Sequence, residues 1–235
     1  SLLLLALACV GLTSCSSTNQ LFKARPVALS PFIERPTEMI SYRERLPFHK
    51  IWWPRDPQVI ARASSRSGLY VAPVRLEYLR PVNRMISRQE VEFGGVERQE
   101  REIASLLRNE FGRAFLRSEN ARYHLSKTPD RDSVTLELAL VELNPTSPKG
   151  NAVKTGLGFM FGPLASLTGY FTKGNIAIEG KLRDTKTGQL LFQFADNECD
   201  KLTLYSLRDF HPYGHATAAI QEWAEQFESF TRTRA

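Results

Sequence analysis

The chain has 235 residues, 42% of them hydrophobic, with a formal net charge of +6 and three cysteines. That apolar fraction belongs to a folded globular protein rather than a disordered one. No apolar run reaches the ~20 residues of a membrane-crossing helix, and Lys and Arg are spread along the chain, often beside Glu, without the basic stripe of a nucleic-acid surface.

Residues 1–14 read as a lipoprotein signal peptide. The apolar run Leu2 to Val10 is followed by Leu12-Thr13-Ser14-Cys15 and then by the polar Ser16-Ser17-Thr18-Asn19-Gln20. A short hydrophobic segment, small residues and then a cysteine form a processing signal in which the thiol takes up a diacylglycerol before cleavage. Cys15 is therefore the expected lipidation site, and its acyl chains would hold the protein at a membrane. The chain opens on Ser1 with neither Met nor a basic segment, so a start upstream is expected. Ser16, where a retention signal would place Asp, points to the outer membrane and its periplasmic face. Cys9 would leave with the signal, and Cys199 then has no partner for an intramolecular disulfide; it is expected to be buried.

Residues 15–67 are expected to be a polar, Pro-rich tether partly docked on the domain that follows. Pro26, Pro31, Pro36, Pro47, Pro54 and Pro57 interrupt regular structure. Within it, Phe48, Ile51, Trp52 and Trp53 are too apolar for a free linker. Docking of Trp52 and Trp53 on the domain is the expectation, with contact to lipid or a partner as the alternative.

Residues 68–235 form the expected α+β domain. Regular structure starts near Leu69 with a strand to Tyr78, in which Tyr70, Ala72, Val74, Leu76 and Tyr78 share a face. A helix from about Val96 to Arg117 buries Ile103, Leu106, Leu107, Phe111, Ala114 and Phe115. Ala121 to Leu125 reads as a short strand, and Ser133 to Leu143 as a longer one with Leu136, Leu138 and Leu140 on one face. Asn175 to Arg183 and Gln189 to Asn197 are the arms of a hairpin whose turn ends on Gly188. A last helix, about Ala216 to Thr231, buries Ala216, Ile220, Trp223, Phe227 and Phe230. The order predicts a two-layer sandwich: a mainly antiparallel sheet of about four to five strands with two main helices packed against it.

Catalytic and metal motifs are sparse. Asp196, Glu198 and Asp200 alternate at a strand end, and His211 and His215 lie four apart, but neither set has the spacing of a metal site. No Gly-x-Ser-x-Gly elbow or phosphate loop occurs. The expectation is no metal, no cofactor and no catalytic residue. Gly156 to Phe171 carries four glycines and almost no charge. It is expected either to cover the sheet or to present Phe159, Met160 and Phe161 to a partner or lipid.

Leu138-Ala139-Leu140-Val141-Glu142-Leu143-Asn144-Pro145, Ile178 to Gly188 and Trp223-Ala224, with the apolar glycine-rich stretch between them, resemble a family of bacterial lipoproteins whose domain has no assigned function. The resemblance implies an envelope location and an α+β fold, and supplies no catalytic residues. The layout is more distantly similar to envelope-transport accessory lipoproteins and to the small α/β domain of periplasmic Tol proteins. The expected function is that of a non-enzymatic, lipid-anchored envelope protein of binding or scaffold type, whose partner is an envelope protein or lipid. One alternative is an accessory to lipid or lipopolysaccharide transport that binds an apolar ligand; a hydrolase is the third reading. A transport accessory needs an apolar cleft, a scaffold a flat apolar patch, and an enzyme converging polar groups.

Overall fold

The computed structural model describes residues 27–41, 48–80, 95–144, 175–199 and 214–233. Six strands form one mixed sheet: β1 (Lys50–Trp52), β2 (Gly68–Val71), β3 (His124–Ser126), β4 (Ser133–Asn144), β5 (Asn175–Asp184) and β6 (Leu190–Cys199), in the order β1-β6-β5-β4-β2-β3. The three α-helices are α1 (Pro57–Ser64), α2 (Gly95–Arg117) and α3 (Gly214–Thr233).

The centre of the sheet follows from alternation. Val134, Leu136, Leu138 and Leu140 of β4 are fully buried on one face, opposite Ile176, Ile178 and Leu182 of β5. Phe192 and Phe194 of β6 continue that face. Helices α2 and α3 cover it with Leu107, Phe111, Phe115, Ile220, Trp223 and Phe227, which recur at helical spacing. Phe194 stacks on Phe48 at 4.1 Å and packs against Phe227 at 5.6 Å. Gly180 stands opposite Phe194. A Cβ there would lie 2.1 Å from the Phe194 ring, so the ring occupies the space a side chain would need. The β5–β6 hairpin closes through Gly188 at φ +72°, a left-handed turn position suited to glycine.

The opposite face is covered by the chain itself. Phe32 and Ile33 pack on Ala139, Val141 and Ala177. The Ser30 N–H donates to Glu179 Oε1 at 2.7 Å, and Glu34 pairs with Lys181 and Arg183. Residues 27–41 thus form a strap behind the sheet.

The observed sheet corrects the expected one. It has six strands, not four to five, and is mixed: the pairs β1–β6, β5–β6 and β4–β5 are antiparallel as expected, while β2 runs parallel to both β3 and β4. Helix α2 carries the chain from β2 back to β3, the crossover that a parallel neighbour requires. The expected strand to Tyr78 ends at Val71; beyond it only Arg75 makes a bridge, to Ala139. Val74 and Leu76 are accordingly half-buried against the core rather than inside it, and Leu106 of α2 is half-buried too. Regular structure also begins before Leu69, with β1 and α1. The prolines read as interruptions include Pro57, which opens α1: at a first helical position its missing N–H costs nothing. Asp56 caps that turn by accepting from the Gln58 N–H at 2.8 Å.

Candidate functional site

An apolar cleft of about 400 Å³ lies on the helix side of the sheet. Its floor is Leu182 of β5 with Leu191 and Phe192 of β6. Leu191 sits where the β5–β6 register shifts, an extra residue that lets two neighbouring side chains serve the same cleft. One wall is the last part of α3, with Phe227, Phe230 and Thr231; Phe230 lies against Phe192 at 4.8 Å. The other wall is α1, with Ile60, Ala63 and Ser64, joined by Trp53 and Pro54. Ile60 is 43% exposed and, of the large apolar side chains among the described residues, only it and Leu116 are so open.

The polar part of the lining comes from Arg122 and Tyr123, just before β3. The Arg122 guanidinium donates to the Ser64 carbonyl at the end of α1 and lies 5.3 Å from the centre of the Tyr123 ring. Burial pushes the Tyr123 phenol up, only partly offset by the Arg122 charge and hydrogen bond. Tyr123 therefore stays neutral across the physiological range. Among the described residues no Asp, Glu or His lines the cleft.

The adjacent tryptophans part company. Trp53 lines the cleft, while Trp52 turns to the strap, where its indole N–H donates to Glu38 at 2.8 Å and Arg35 lies over its ring at 4.9 Å. Cys15, Phe159, Met160 and Phe161 lie outside the described residues, as do Asp200 and His211. Asp196, considered as a cation ligand, is engaged by His49 Nδ1 at 2.7 Å, with Asn197 Oδ1 at 2.9 Å from the same nitrogen. Among the described residues no group of three His, Cys, Asp or Glu is placed to hold a metal ion. None of their helices is long and apolar enough to cross a membrane.

A family model described as "Protein of unknown function (DUF3313)" matches residues 55–227. The chain belongs to the DUF3313 family. The resemblance seen in Leu138 to Pro145, Ile178 to Gly188 and Trp223-Ala224 falls within this match, which extends well beyond them. The DUF3313 match takes in the cleft from Ile60 to Phe227 and leaves Trp53, Pro54, Phe230 and Thr231 outside it. No curated protein matches this DUF3313 chain in sequence. Among solved structures it is similar to a PelC dodecamer from Paraburkholderia phytofirmans, at 8% identity and a TM-score of 0.37, covering 70% of this chain and 89% of that one. It is also similar to a predicted lipoprotein of Caulobacter crescentus CB15, at 10% identity and a TM-score of 0.34, covering 75% of this chain and 94% of that one. A third is a hypothetical protein of Chlamydia trachomatis, at 12% identity and a TM-score of 0.39, covering 71% and 98%.

Sequence reasoning placed Phe227 and Phe230 on the buried face of the last helix but gave no sign that they border open space. Arg122 and Tyr123 carried no motif at all. The one available signal was Trp53 beside Pro54, in a segment too apolar to be a linker.

Proposed function

We propose that this protein is a lipid-anchored lipoprotein of the bacterial cell envelope, facing the periplasm from the outer membrane, whose folded part binds an apolar ligand without catalysing a reaction. The anchor rests on the Leu12-Thr13-Ser14-Cys15 pattern. The binding function rests on the cleft between α1 and α3, whose volume of about 400 Å³ falls in the range of small-molecule sites. An aromatic floor beneath a partly exposed Ile60 suits a ligand that removes apolar surface from water. A scaffold would favour a flat apolar patch, and the exposed large apolar residues among those described are the cleft's own Ile60 and Leu116 of α2. The cleft thus favours the transport-accessory class over the scaffold class.

The test uses the full chain and its Cys15→Ala variant, with dodecanol as a neutral apolar probe. Wild type should fractionate with membranes and C15A should not, while both bind dodecanol by calorimetry. Ala63→Trp, which fills the cleft from α1, should weaken that binding about tenfold without lowering the melting temperature. Absence of dodecanol binding in both proteins would remove the binding function and leave the anchor standing.

A further inference from the structure

We infer that the cleft selects a free fatty acid, one acyl chain ending in a carboxylate, with Arg122 as the residue that reads the head group. The inference rests on the binding function proposed above. Size argues for one chain: about 400 Å³ is near the lower end of ligand sites, which reach roughly 1,000 Å³, and a two-chain lipid would overfill it. Leu182, Leu191, Phe192, Phe227 and Phe230 offer such a chain a continuous wall without a charge.

Charge argues for the carboxylate. Among the described residues Arg122 is the one ionised side chain in the lining, and no carboxylate is paired with it. Its partners there are the Ser64 carbonyl and the ring and hydroxyl of Tyr123, all uncharged. A guanidinium carries five N–H donors in a planar fork that matches a carboxylate with two parallel bonds. A half-buried cation with only neutral partners gains from an anion more than a water-exposed one does, because the surrounding dielectric is lower. Tyr123, kept neutral by burial, adds a second donor beside it. A free alcohol, a zwitterionic head group or a quaternary ammonium lacks the net negative charge this arrangement favours.

The experiment compares tetradecanoate, tetradecanol and tetradecanoyl lysophosphatidylcholine on the full chain at pH 8. Tetradecanoate should bind about tenfold tighter than either of the others, as expected of a charge-assisted pair. Added salt should narrow the gap. Arg122→Gln should lose most of the preference for tetradecanoate while still binding tetradecanol, which also reports that the variant is folded; Arg122→Lys should keep part of it. Equal wild-type affinities for tetradecanoate and tetradecanol would overturn the head-group inference and leave apolar binding intact. Equally tight binding of the lysophospholipid would overturn it too. Failure of all three ligands would remove both readings. Binding of tetradecanoate only after Phe159, Met160 and Phe161 are changed to Ser would make the chain's own apolar segment the occupant, and the inference would fall.

Discussion

Asp184 ends β5 with 1% of its surface exposed, and its charge is held there by its neighbours. Burial alone pushes its carboxyl up. Arg66, at 2.7 Å, and the Thr187 N–H, at 2.8 Å, together outweigh that and hold the pKa below its ordinary value. Glu179 shows the opposite balance: burial dominates the two hydrogen bonds from Ser30, and the pKa is raised. Because the native pKa of Asp184 is depressed, its contribution is fully present above its unfolded pKa of about 3.9 and is lost as pH falls through the native value. Arg66→Met should then cost about 3–5 kcal/mol at pH 7, since it leaves a buried carboxylate without its partner. Denaturant unfolding should show the gap from wild type closing as pH falls below 4. A gap of constant size down to the acid limit of folding would mean that Arg66 acts through packing rather than charge.

At the level of elements, what could be read in advance was what repeats. Helix α2, helix α3, strand β4 and the β5–β6 hairpin each run for ten residues or more, long enough for a period to show. Strands β1 and β3 have three residues each, too few to display alternation, and α1 shows one buried residue, Val59. The parallel pairing of β2 is a property of its neighbours, not of Gly68 to Val71. The cleft was illegible for a related reason: its lining comes from separate stretches around Trp53, Ile60, Arg122, Leu182, Leu191 and Phe227, and apart from Trp53 none of them stands out alone. Gly180 is a further case. Within a strand it reads as a weakness, yet its missing side chain makes room for Phe194. Gly180→Ala should therefore cost about 1–3 kcal/mol by overpacking. Adding Phe194→Leu should recover part of that loss, a coupling measurable as a double-mutant cycle. Simple additivity of the two changes would show that the glycine serves the backbone and not the ring.

Taken whole, the molecule keeps its two sheet faces for different tasks. Helices and cleft lie on one face, and the strap of residues 27–41 lies on the other. The strap follows the proposed anchor at Cys15 in sequence, so with that anchor in place a pull from the membrane would meet the strap before the cleft. That arrangement works only if the strap is part of the fold. Phe32 carries most of this argument: it is 3% exposed, meets Tyr78 edge-on at 5.4 Å, and lies beneath the Lys181 ammonium at 4.1 Å. Phe32→Ala should lower stability by about 3–5 kcal/mol, the range for a large buried aromatic, while dodecanol affinity of the folded variant stays at the wild-type value. The two readouts separate the possibilities. A loss well below about 1 kcal/mol would make the strap a loosely laid tether. A large loss accompanied by weakened dodecanol binding would mean that the back face shapes the cleft, and that force on the anchor is felt at the ligand.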